Sequence, residues 1–80
     1  MSRAEKLLRR LRSRPKDFTW DELVTVLSGL GFEMFRGSGS ARKFIHPDGQ
    51  VLILHEPHPQ KTLKRWAVDY VLREISKRHG

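Results

Sequence analysis

Cysteine is absent from this chain of 80 residues. Without it there is no disulfide scaffold and no thiolate metal site. The absence fits a reducing compartment, and the expected location is cytoplasmic. Long apolar runs are missing too. The longest, Val51-Leu52-Ile53-Leu54, is far too short to span a bilayer. The basic residues near the N-terminus are followed by no apolar stretch, so no signal peptide is expected. Acid is scarce beside base: 9 Asp and Glu face 16 Lys and Arg, for a net charge of +7 and a pI near 10.6. Such an excess favours nucleic acid or an acidic protein as partner. A membrane partner is not expected, because the one basic, leucine-bearing segment is short for an interfacial anchor.

A chain of this length is one small domain, spanning residues 1–80. It buries only about 60% of its unfolded surface, so a partner could supply much of its stability. Residues 1–18 are expected to add a helix to a core at 19–76. Ala4, Leu7, Leu8 and Leu11 recur at helical spacing after Ser2, and Pro15 ends the run. A second helix opens on Thr19-Trp20-Asp21-Glu22, a capping-box pattern, and buries Leu23, Val26, Leu27 and Leu30. Gly31 turns the chain out of it.

Three strands follow, at Phe32 to Arg36, Ala41 to His46 and Gln50 to His55, with Pro47-Asp48-Gly49 as a tight turn. The last helix is expected from about Lys61 to Ser76. Its stripe of Leu63, Trp66, Ala67, Tyr70, Val71 and Ile75 predicts that Trp66 lies in the core, as does Trp20, with stacking of Trp20, Trp66 or Tyr70 on bases as the alternative. The fold class is α+β, in the order α-α-β-β-β-α. A three-stranded antiparallel meander would carry the helices on one face and leave the other open.

The link between the first two strands carries the chemistry. Arg36-Gly37-Ser38-Gly39-Ser40-Ala41-Arg42-Lys43 joins two Gly-Ser steps to three cations. Glycines admit a close backbone approach, and successive N–H groups in such turns can face an anion. Arg36, Gly37, Ser38, Gly39, Ser40, Arg42 and Lys43 are therefore candidates for holding a phosphate backbone. A solvated hairpin loop is the plainer alternative. Lys61, Lys64 and Arg65 form a second basic group. Cations at a helix N-terminus oppose its dipole, which hints at a use such as gripping phosphate or an acidic protein. His46, His55 and His58 could be read as metal ligands. Pro57 breaks any helical spacing between the last two, and no further ligand completes a set, so neither metal nor cofactor is expected.

The order of motifs from Gly39-Ser40-Ala41-Arg42-Lys43-Phe44 through Ile45-His46-Pro47-Asp48-Gly49 to Val51–His58 resembles the HicA toxin family. Members of that family carry Gly-Ser-His-x-x-Phe, a His-Pro-Asp-Gly-type turn, an apolar strand and a His-Pro element before a basic helix. The resemblance implies a double-stranded-RNA-binding-like fold. It also implies a small, metal-independent endoribonuclease acting on mRNA, held in check by a HicB-type antitoxin. Ala41 stands where the family has its histidine. A histidine there, on the strand face opposite Phe44, has the pKa to trade a proton with RNA near neutrality. Alanine has no proton to give, so this form is expected to be inactive or nearly so. The departure is isolated within an otherwise intact motif. That favours a deliberate His→Ala change over natural loss, and both origins stay open. His55 and His58 are possible auxiliary acid–base groups. A non-catalytic RNA-binding module and a pure antitoxin-interaction subunit remain the alternatives.

Overall fold

The computed structural model describes residues 2–79. Three helices and three strands follow in the expected order: α1 (Arg3–Arg12), α2 (Trp20–Gly29), β1 (Glu33–Arg36), β2 (Ala41–Ile45), β3 (Val51–His55) and α3 (Arg65–His79). The fold is α+β and double-stranded-RNA-binding-like, an antiparallel sheet in the order β1-β2-β3 with the helices on one face.

Local chemistry explains most of the boundaries. Ser2 caps α1 by accepting the Glu5 N–H at 3.2 Å. Thr19 and Glu22 close a reciprocal capping box on α2, with N–H to side-chain bonds of 3.2 and 3.0 Å. Gly31 follows the C-cap at φ 99°, a left-handed position that suits glycine. At the far turn, Asp48 accepts the Gln50 N–H at 2.9 Å and pairs with the Arg78 guanidinium. These two contacts hold its carboxyl below the usual range.

Alternation along the strands sorts the sheet into two faces. Phe44, Leu52 and Leu54 point into the core with Leu11, Phe18, Trp20, Leu23, Val26 and Leu27. Helix α1 packs on α2 and α3, within the helical layer. Gly29 lets α1 and α2 touch: a Cβ there would lie 2.3 Å from the Cβ of Ala4.

Two expectations need correction. Helix α3 starts at Arg65 rather than Lys61. The preceding residues are extended and pair with the entry to α2: Trp20 N donates to Lys61 O at 2.7 Å and Leu63 N to Phe18 O at 2.8 Å. Trp66 is not core. The buried arc of α3 is Ala67, Val68, Val71, Leu72 and Ile75, and Trp66 is 61% exposed. At about 100° per residue it stands roughly opposite the centre of that arc. Tyr70 is half-buried, and its hydroxyl accepts the Ile53 N–H at 3.2 Å on the outer edge of β3.

Candidate functional site

The β1–β2 link is a tight, internally bonded turn. Gly37 N donates to Ala41 O at 2.9 Å and Ala41 N to Ser38 O at 3.1 Å. Gly39 takes φ 57°, in the left-handed region. Among the described residues, no hydrogen bond occupies the N–H groups of Ser38, Gly39 or Ser40. They are left for solvent or a bound anion.

Register places residue 41 beside β3. Ala41 faces His55 across the strands, and the neighbouring rung is the Glu56 N to Ser40 O bond at 2.9 Å. His55 is exposed, and its Nδ1 lies 3.1 Å from the Ser40 hydroxyl. Ala41 points to the open face, away from Phe44, together with Lys43 and Ile53 in the next row. A Cβ on Gly37 would come within 3.3 Å of the Ala41 Cβ, so glycine at 37 keeps room for a larger side chain at 41. Lys43 is exposed at the middle of the open face, with Phe35 and Ile53 on either side.

Arg42 takes the opposite role. Its side chain, 11% exposed, lies on the helix-side face and braces the turn from behind. Nη1 donates to Gly39 O at 2.9 Å and to Ala41 O at 2.8 Å. Nε and Nη2 reach Glu56 Oε1 at 3.2 and 3.1 Å. The other Glu56 oxygen takes Lys61 Nζ at 2.8 Å. The Lys61 bond, reinforced by the two neighbouring cations, outweighs partial desolvation and holds the Glu56 carboxyl below its usual range. Arg42 is therefore tied to the back of the turn, and Glu56 links it to Lys61.

The other candidates divide. Ser38 and Ser40 are exposed on the turn, and Arg36 is exposed on β1 beside Arg42. His58 and Lys64 border the same groove as His55. Arg65 lies elsewhere, beside Arg14 and Lys16. His46 sits at the far end of the sheet, its Nε2 3.1 Å from Leu30 O. Among the described residues, no three His, Cys, Asp or Glu side chains stand close enough to hold a metal ion.

Sequence reasoning missed Glu56 and misplaced Trp66 in the core. Glu56 had a signal, being the only acid between Asp48 and Asp69 in a basic stretch. Trp66 had one too, because at about 100° per residue it lies opposite the arc from Ala67 to Ile75.

The assembled site is a glycine turn with free amides, braced by Arg42 and Glu56. Beside it lie an open-face strand position and an exposed histidine. No curated protein and no solved structure matches the chain. A family model, HicA toxin of bacterial toxin-antitoxin, matches residues 20–76, from the start of α2 into α3. That stretch holds the whole sheet, the turn and the groove. The chain belongs to the HicA family, toxins of bacterial toxin–antitoxin systems.

Proposed function

We propose that this toxin is built as an mRNA endonuclease whose proton-transfer position is residue 41, and that the Ala41 form keeps the RNA grip without the chemistry. The placement of Ala41 carries the reading. It lies on the open face, with space kept by Gly37, His55 across the strands, and the unoccupied amides of the turn alongside. RNA brings its own nucleophile. The 2′-hydroxyl oxygen attacks the adjacent phosphorus as the 5′-oxygen leaves, giving a 2′,3′-cyclic phosphate and a 5′-hydroxyl. A base takes the hydroxyl proton and an acid supplies one to the leaving oxygen. The turn amides and Lys43 sit where charge on the phosphoryl oxygens would be met.

A histidine at 41 would share this work with His55. Residues directly opposed on antiparallel strands have Cβ atoms about 4.5–5.5 Å apart, which lets two imidazoles reach the same phosphate from one side. Ala41→His is expected to raise cleavage of a single-stranded mRNA fragment by about 10²–10⁴-fold, the usual contribution of a general acid–base group. His55→Ala in that background should remove part of the gain. A revertant as inert as the Ala41 chain would overturn the assignment of position 41. RNA binding by both forms without cleavage by either would support the non-catalytic binding module instead.

The partner in this reading is a HicB-type antitoxin, acidic on the surface that meets the toxin. The open face offers Phe35, Val51 and Ile53, 45%, 42% and 56% exposed, around the Lys43 charge. A protein covering that patch would also shut the turn from RNA.

A further inference from the structure

Trp66 is the most exposed of the large apolar side chains at 61%, against 3% for Trp20. The indole stands between two depressions. One, of about 540 Å³, is bordered by His55, Pro57, His58, Leu63, Lys64 and Trp66. The other, of about 470 Å³, is bordered by Ile53, Trp66, Asp69, Tyr70 and Arg73. Each is within the range of sites that take a small organic ligand, about 300–1,000 Å³, and so admits a nucleobase.

We propose that Trp66 is a stacking platform for an unpaired RNA base next to the phosphate held at the Gly37–Ser40 turn. The proposal rests on the RNA reading above and adds a subsite to it. Continuity supports it first. His55 faces Ala41, contacts the Ser40 hydroxyl and also forms a wall of the first groove. A strand leaving the turn thus enters the groove directly.

Charge supports it second. Lys64 borders the first groove and Arg73 the second. The acids present are neutralised by partners: Glu56 by Lys61 and Arg42, and Asp69 by Arg14 Nε at 2.8 Å. A polyanion therefore meets net positive charge on both sides of the ring. The chemistry of the ring supports it third. An indole flanked by cations suits a flat π-face joined to a phosphate, and only an unpaired base offers that face.

The test uses the full chain in its Ala41 form and an end-labelled single-stranded RNA oligonucleotide, titrated by anisotropy. Trp66→Ala is expected to weaken binding about 5- to 150-fold, the effect of losing one base–aromatic stack. Trp66→Phe should recover most of it. An abasic site scanned through the probe should, at one position, cost the unaltered chain a similar factor and cost Trp66→Ala nothing further. The side chain is on the surface, and circular dichroism checks that α3 persists in each variant. Equal RNA affinity for the unaltered chain and Trp66→Ala overturns the proposal and leaves the RNA reading standing. Loss of antitoxin binding with unchanged RNA affinity also overturns it and assigns the groove to the protein partner. No RNA binding by the Ala41 chain or by Ala41→His overturns the RNA reading itself.

Discussion

Glu56 shows how much one side chain organises. Its carboxylate joins Arg42, which props the turn, to Lys61, which leads into α3, while its own N–H bonds Ser40 O. The lowered pKa makes this a pH-dependent clasp. A carboxyl depressed in the folded state stabilises fully above its ordinary range, and that stabilisation is lost as pH falls through the lowered value. Glu56→Gln keeps the shape and removes the charge. Glu56 and Lys61 are partly exposed, at 23% and 50%, so the loss of stability should be no more than about 1 kcal/mol. The local effect should be larger. Arg42 would face its two carbonyls without a counter-ion, and amide exchange at Ala41 N–H should quicken at neutral pH. The variant and the unaltered chain should converge in acid, where protonation leaves position 56 of the unaltered chain as uncharged as the glutamine. Unchanged exchange at Ala41 at neutral pH would show that the turn does not depend on the clasp.

Among the elements, α1 and α2 approach closely at Gly29. Alanine has the better helix propensity by about 1 kcal/mol. Yet its Cβ would sit 2.3 Å from that of Ala4, an atom fixed directly to backbone. The helices would have to part, and overpacking of this kind typically costs about 1–3 kcal/mol. Gly29→Ala should therefore lower the urea midpoint despite the propensity gain, and a raised midpoint would show that α1 can shift freely. This scale also separates what sequence could reveal. The caps at Ser2 and Thr19, the Gly31 turn and the alternation of Phe44, Leu52 and Leu54 depend on neighbours a few residues away, so they are legible in sequence. The start of α3 is not, because it depends on Lys61 and Leu63 pairing with Trp20 and Phe18. No periodicity window spans that contact. The helix-side position of Arg42 follows from strand parity with Phe44, while its counter-ion arrives from a loop.

Across the whole molecule, one block of charge lies apart from the proposed site. Seven of the sixteen Lys and Arg precede Phe18. Helix α1 lies in the helical layer, whereas Lys43 is on the open face of the sheet. Each phosphate contact to single-stranded RNA contributes about −0.7 to the slope of log affinity against log salt. Lys43→Gln should therefore flatten the slope by about that much. Joint replacement of Arg3, Lys6 and Arg12 by Gln should leave it nearly unchanged. A larger change from the triple variant would place RNA on α1 instead.

The two borders of the sheet are also unlike. Tyr70 takes the outward N–H of Ile53, the middle residue of β3, whereas the outward N–H groups of Met34 and Arg36 on β1 have no partner among the described residues. A continuous ladder of molecules needs two receptive borders on each one. Here one border is interrupted at its centre, so a strand added at β3 would have to displace the Tyr70 hydroxyl from the Ile53 N–H. The phenol that secures β3 thereby also blunts that border as a template for a further strand.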